Sequence, residues 1–200
     1  MDCVNQTPAL VVPTLEAGPV RLRPFRLTDV EAVRGASQDE HIVSITTVPS
    51  RFSEDEGRLF ILRQWRRATD GTGYSFAIAD AATDQAIGLM GLWLRDIDQG
   101  RAYLGYWVAS AGRGQGAARQ ALTTVAHWAF DQLQIPRLEL YVEPWNEASI
   151  RTAERAGFLR EGLLRSWQVV GARRADMWMY SLLHPDLRQT PVTQPVLPPR

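Results

Sequence analysis

Three glycines fall within five residues at Gly112-Arg113-Gly114-Gln115-Gly116. A strand-like run, Tyr106-Trp107-Val108, precedes them, and a helical pattern follows in which Ala118, Leu122, Val125, Ala129 and Leu133 recur at three- and four-residue spacing. Strand, glycine loop and helix together make a cradle for an anion. Glycine permits backbone angles and close approach that a side chain would block, so successive N–H groups can converge on a phosphate at the positive end of the helix. A second group of chemically capable residues lies downstream. Glu143 stands at a strand end, and Asn146 and Ser149, three residues apart at a helix start, project from neighbouring positions. Asn146 is also a good N-cap, a role that by itself explains an asparagine there.

These groups must be positioned by the elements around them. Residues 1–18, with Pro8 and Pro13, read as a loose lead, and residues 20–23 alternate as a half-buried strand does. Thr28 with Glu31, and Ser53 with Glu56, have the form of capping boxes. They predict one helix over 29–37 and a second ending near Asp70-Gly71, with Leu59, Phe60, Leu62 and Trp65 along the second. Strands over 74–79, 87–94 and 101–108 have short connections and are expected to pair as an antiparallel meander. A strand over 137–142 follows a helical crossover and can lie parallel to the strand before the glycine loop. A short helix over 147–156, closed by Gly157, and a hairpin of 158–169 with 173–182 complete the order β-α-α-β-β-β-α-β-α-β-β. The fold class is α/β (α+β): one domain over residues 19–183 around a mixed central sheet of about six to seven strands. Residues 184–200, with five prolines, read as a disordered or linker-like tail.

Composition bounds the function. Lys+Arg and Asp+Glu are both 22 in 200 residues, so no basic surplus drives binding to nucleic acid. The only cysteine, Cys3, excludes an internal disulfide framework. His41, His127 and His184 are scattered without a cysteine or carboxylate at ligand spacing, and no metal is assigned. No apolar run approaches the ~18 residues a membrane span requires, and no secretion signal opens the chain. A cytoplasmic location is expected, with the chain a monomer or a homodimer. Of the seven tryptophans, Trp65, Trp128 and Trp178 lie in regular elements and read as core; Trp93 and Trp145 are candidates for a groove wall, though core packing explains them as well.

Gly112, Gly114 and Ala117 also fit a dinucleotide-binding fingerprint, with Glu139 or Glu143 downstream for a ribose. Context opposes this: the fingerprint opens alternating strand and helix units, whereas a meander precedes the loop here and a hairpin follows. A triphosphate-binding loop would need a Lys-Ser/Thr pair after the glycines, which is missing. A ligand-free glycine turn is the remaining plain alternative. Arg113-Gly114-Gln115-Gly116-Ala117-Ala118, however, resembles the Arg/Gln-x-x-Gly-x-Gly/Ala signature of the GCN5-related N-acetyltransferase superfamily. Ile87-Gly88, Gly105-Tyr106-Trp107-Val108, Asn146-Glu147-Ala148-Ser149 and Ala156-Gly157-Phe158 extend the likeness to the branch of ribosomal-protein N-terminal acetyltransferases, over residues 20–182.

That resemblance implies acetyl-coenzyme A as cosubstrate and a primary amine, on a protein N-terminus or a small molecule, as acceptor. It implies that the strand before the loop splays from its parallel neighbour. Trp107 and Val108 would then offer backbone groups to the pantetheine arm, and the amides of Arg113, Gly114, Gln115, Gly116, Ala117 and Ala118 would bind pyrophosphate, with Asn146 also at the coenzyme. Acetyl transfer by direct attack in a ternary complex needs a neutral amine, a donor to the oxyanion and a donor to the departing thiolate. An α-amine, of pKa about 7.7–8.0, is partly neutral at cellular pH, whereas a lysine amine near 10.4 is not. The tyrosine acid of other branches falls at Ala153, so the thiolate donor is assigned to Ser149. Glu143 is the candidate base, with Glu161 and Asp176 as alternatives, while Gln168 stands where some relatives carry an acid. A different class of function is a non-catalytic acyl-coenzyme A-binding module with a protein partner, and an NAD-binding oxidoreductase is a further one.

Overall fold

The computed structural model describes residues 9–184. Eight strands form one sheet: β1 (Leu15–Ala17), β2 (Val20–Pro24), β3 (Gly73–Asp80), β4 (Ala86–Trp93), β5 (Arg101–Val108), β6 (Arg137–Val142), β7 (Leu159–Val170) and β8 (Arg173–Leu183). Their spatial order is β1-β2-β3-β4-β5-β6-β8-β7, and every pairing is antiparallel except β5 with β6. The helices are α1 (Val30–Ser37), α2 (Glu40–Ile45), α3 (Glu54–Thr69), α4 (Ala117–Asp131) and α5 (Glu147–Arg155).

Burial shows why the sheet sits in the middle. Seven of the eight residues of β3 are buried on both faces, so the strand does not alternate as a one-sided strand would. One face packs under α4, whose Ala117, Ala121, Leu122, Val125, Ala126, Ala129 and Phe130 are buried against Phe76, Ile78, Leu104 and Leu138. The alanines let the helix approach the sheet closely. The other face carries Ala77, Leu89 and Trp107 against Val33, Phe60 and Ile61 of α1 and α3.

The parallel pair sets the shape of the site. β5 and β6 pair only at Arg101↔Arg137, Ala102↔Leu138 and Tyr103↔Glu139. Beyond these rungs they splay, leaving the inner edges of residues 104–108 and 140–142 without a strand partner. The expected mixed sheet with a splayed pair is present, with one strand more than expected.

The added strand is β1, in the segment read as a loose lead: it pairs with β2, the Leu10 N–H donates to the Ala68 carbonyl, and Leu10, Val12 and Leu15 pack on the core. Residues 1–8, Cys3 among them, and the proline-rich tail after His184 lie outside the described residues. Helix α2 is a second addition, and six residues are too few to show a periodicity. The first helix starts differently from the Thr28 capping box. Buried Asp29 instead accepts the Arg26 N–H at 2.7 Å and pairs with the buried Arg23 guanidinium at 2.8 Å. Ser53 does cap α3, accepting from the Glu56 N–H at 3.1 Å. The buried face of α3, however, is Gly57, Phe60, Ile61, Gln64 and Ala68, while Leu59, Leu62 and Trp65 are exposed. The Trp65 indole N–H donates to the Phe25 carbonyl.

Candidate active site

The glycine loop follows β5 through a short turn at Ser110–Gly112. Gly112 packs so tightly that a Cβ there would stand 2.9 Å from that of Ile87. Gly114 and Gly116 are different: a Cβ on either would meet nothing within 4 Å, but their φ angles are +84° and +75°. Glycine is needed there for the left-handed backbone rather than for room. Gly116 precedes α4, whose first turn has neither a side-chain cap nor an acidic residue. The N–H groups of Ala117, Ala118 and Arg119 therefore form an uncapped positive helix end. Arg113 is turned back: its Nε donates to the Val108 carbonyl at 2.9 Å and its guanidinium pairs with Asp39. Burial raises the Asp39 pKa, but Arg113 and the N–H groups of Ile42 and His41 outweigh it and hold the carboxyl below its ordinary value.

A cavity of about 570 Å³ opens on this loop. Trp107, Val108, Arg113, Gly114, Gly116, Ala117, Ala118, Asn146 and Ser149 of the expected residues line it. Gln115 is exposed on the same loop without lining the cavity. Three arginines that sequence reasoning did not single out, Arg119, Arg151 and Arg155, are also in its wall. Arg151 pairs with Glu147 at 2.9 Å. Neither Arg119 nor Arg155 has a carboxylate partner among the described residues.

On the far side of the splayed strands lies a second cavity, of about 480 Å³. It is lined by Glu143, Gln168, Trp93, Tyr103, Tyr141 and Arg67, among others. The two cavities share one wall, made of His41, Ile45, Tyr106, Trp107, Asn146 and Ser149.

The hydrogen bonds in that wall are specific. The Asn146 Oδ1 accepts the Ser149 N–H at 3.1 Å, so the expected N-cap is formed. This orients the amide so that its Nδ2 faces His41 Nε2 at 3.3 Å. An amide nitrogen can only donate, so Nε2 accepts and the imidazole proton of the neutral ring sits on Nδ1, 3.4 Å from the buried Glu143 carboxylate. His41 also packs edge-on against Trp145, centroids 4.6 Å apart. Asp39 caps α2 through the His41 and Ile42 N–H groups, which fixes the histidine's place. The Tyr106 hydroxyl is buried in the same wall without a hydrogen-bond partner. Burial raises its pKa against smaller lowering influences from the Ser149 and Thr152 hydroxyls.

Other candidates fall elsewhere. Glu161 makes a two-armed pair with Arg137 and accepts the Ser181 hydroxyl, which hold its pKa down; it sits at the closed end of the β5–β6 pair. Asp176 accepts the Ser166 N–H within the hairpin. Glu139, the alternative ribose ligand, is buried against Arg137 and the Tyr141 hydroxyl. His127 is exposed on α4, and the His184 ring lies 5.2 Å from Phe130. Trp128 packs edge-on against Tyr74 and Phe76, as a core residue does. Among the described residues no three His, Cys, Asp or Glu side chains cluster at metal-ligating positions, and no helix is long and apolar enough to cross a membrane.

This arrangement has known counterparts. The family model described as an acetyltransferase (GNAT) domain matches residues 20–159. An uncharacterized N-acetyltransferase, p20, of Bacillus licheniformis is 29% identical over 170 residues, covering 85% of this chain and 96% of the relative. The solved structure of Mycobacterium smegmatis RimJ in complex with CoA-disulfide superposes with a TM-score of 0.75 at 27% identity, over 90% of each chain. The ribosomal-protein-S5-alanine acetyltransferase of Vibrio fischeri shares the fold with a TM-score of 0.72 at 18% identity, over 87% of this chain and 98% of that one. With a family model spanning most of the domain, and a mixed sheet whose one parallel pair splays beside an uncapped helix end, the chain belongs to the GNAT acetyltransferase family.

Proposed function

We propose that this acetyltransferase moves an acetyl group from acetyl-coenzyme A to a primary amine by direct attack in a ternary complex. The observation that carries this reading is the shared wall: two cavities, one on each side of the splayed β5–β6 gap, meet at Tyr106, Trp107, Asn146, Ser149 and His41. A donor and an acceptor seated in the two cavities come together only there.

The first cavity fits the coenzyme. The N–H groups of Gly114, Gly116, Ala117 and Ala118 face the pyrophosphate, the inner β5 edge at Tyr106 and Val108 hydrogen-bonds the pantetheine amides, and Arg119 and Arg155 supply cations for the remaining phosphate. The Arg113 N–H is held by the Ser110 carbonyl, and the backbone groups of Trp107 face Leu89 of β4. RimJ, 27% identical, is solved with a coenzyme A disulfide, which supports the same ligand here.

The chemistry is shared among the wall residues. The acceptor nitrogen attacks the thioester carbonyl and its proton passes to Glu143, whose carboxylate is oriented by the His41 Nδ1–H. A β5 amide near Val108 donates to the oxyanion. The C–S bond breaks, and the departing sulfur is met by the hydroxyls of Ser149 and Tyr106. Burial favours the protonated phenol, which keeps Tyr106 a donor.

Calorimetric titration with acetyl-coenzyme A and with NAD, then a thiol-release assay over peptides, amino acids and polyamines, tests this reading. Binding of acetyl-coenzyme A and thiol release with at least one amine are expected. Coenzyme binding without release on any amine would make the chain a binding module instead.

A further inference from the structure

The second cavity contains a feature that amine acetylation by itself does not require. Arg67, on α3, reaches its wall beside Trp93, whose ring lies 5.7 Å from the guanidinium carbon, and Trp93 stacks on Tyr103 at 5.0 Å. The guanidinium is half-buried, and its polar partners are neutral: Gln64 Oε1 at 2.7 Å and the Ser75 hydroxyl at 3.4 Å. No carboxylate pairs with it among the described residues. Burial pushes its pKa down against an opposing influence of Tyr103, and the charge of Arg63 adds to the fall. Arg63 lies one turn earlier on the same helix, leans on the Phe60 ring at 5.8 Å and donates to the Thr47 carbonyl, both residues of the cavity wall. Its Nε is buried with no partner, and it too has no carboxylate. Two like charges four residues apart on a helix repel. A partly desolvated, uncompensated guanidinium pair is costly unless an anion completes it.

The acidic groups nearby do not do so. Glu139 is occupied by Arg137 and the Tyr141 hydroxyl, and Glu143 faces His41 at the other end of the cavity. The two ends are set by the strand. Tyr103 and Trp107 are four residues apart on β5, which spans about 13 Å at 3.3–3.4 Å per residue. The cavity is therefore polarised along its length, with a carboxylate and an imidazole where the amine reacts and a guanidinium at the aromatic far end.

We propose that the acceptor is an amine that also carries a carboxylate, on the order of 10 Å from the reacting nitrogen, and that Arg67 binds this carboxylate with Arg63 reinforcing the positive field. This rests on the second cavity being the acceptor site. A peptide N-terminus with an acidic side chain at its third or fourth residue has that spacing in extended form. So does a small ω-amino acid of similar length.

Binding measured by calorimetry in the presence of coenzyme A tests the inference separately from transfer. The probes are amidated pentapeptides with Glu or Gln at position three or four, and an ω-amino acid of matching span with its amide. Wild type is expected to favour the acid over the amide by about tenfold, the scale of one hydrogen-bonded charge pair. The acid-to-amide ratio should fall to about one in Arg67→Met and be partly kept in Arg67→Lys. Whether the peptide or the amino acid shows the larger ratio identifies the source of the carboxylate. Equal affinity of acid and amide in wild type, or a ratio unchanged in Arg67→Met, overturns the proposal, as does failure of every acid to bind. A preference without thiol release would overturn the transfer reading while keeping the anion site. Thiol release without a charge preference would do the reverse.

Discussion

His41 on α2 and Glu143 at the end of β6 stand 3.4 Å apart, imidazole Nδ1 against carboxylate, although 102 residues separate them in sequence. Asn146 closes the arrangement from the other ring nitrogen. The pair joins a helix of the outer layer to the splayed strand and faces both cavities' common wall.

If Glu143 takes the amine proton, Glu143→Gln should lower kcat by about 10² or more, the scale of general base catalysis, with little change in acetyl-coenzyme A affinity. His41→Ala removes the group that orients the carboxylate and should lower kcat less. Steady-state kinetics with parallel calorimetry check both. Loss of coenzyme binding in step with turnover would assign the pair to structure instead.

Tyr106 offers a split between stability and activity. Its hydroxyl is buried without a partner, so Tyr106→Phe removes an uncompensated polar group. Stability should rise by roughly 1 kcal/mol, which for a domain of this size moves Tm upward by about 2–4 °C. Turnover should fall, and Ser149→Ala should lower it also, with the double variant losing more than either. Thermal denaturation and kcat measured on the same preparations decide this; a Tm that falls in Tyr106→Phe contradicts the burial argument.

At Gly116 the cost of a side chain is in the backbone. The φ of +75° puts an L-residue in the left-handed region, at about 1–2 kcal/mol. Gly116→Ala should lose that stability, although its Cβ meets no atom, and should weaken acetyl-coenzyme A binding at least tenfold by disturbing the converging N–H groups. Gly112→Ala, where Ile87 stands in the way, should unfold the loop more severely.

Much of this was readable in the chain. The bounds of β5 and β6, the crossover that makes them parallel and the Asn146 cap came from alternation, connection length and one helix-start signal, all local. His41 gave no such signal, because its partners are Glu143, Trp145 and Asn146, more than a hundred residues away, and its helix is a turn and a half long. Arg67 was equally silent: an arginine near the end of an amphipathic helix normally faces water, and only the tertiary position of Trp93 and Tyr103 encloses it. On α3, Trp65 reads as core by its type and its regular element, yet it is exposed, as are Leu59 and Leu62. Trp65 keeps its indole N–H on the Phe25 carbonyl while remaining partly in water, so hydrophobic type alone did not report burial.

The Asp39–Arg113 pair predicts a pH dependence. The native Asp39 carboxyl has a pKa below its unfolded value of about 3.9. Its stabilising contribution is therefore present above that value and is lost as pH falls through the lower, native one. Asp39→Asn keeps an N-cap of equal rank but loses the ion pair with the half-exposed Arg113, so it should cost a few tenths of a kcal/mol, up to about 1, near neutrality. The difference from wild type should shrink as pH drops below about 4. Denaturant unfolding across that range checks the sign; a difference that grows on acidification would contradict it.

Direct transfer requires donor and acceptor to be held at once, in the two cavities that share a wall. Initial velocities measured while acetyl-coenzyme A and a turned-over amine are varied together test it most directly. Intersecting double-reciprocal lines, with no thiol released before the amine is added, are the predicted result. Parallel lines with a burst of thiol from enzyme and acetyl-coenzyme A alone would show an acetyl-enzyme and contradict direct transfer.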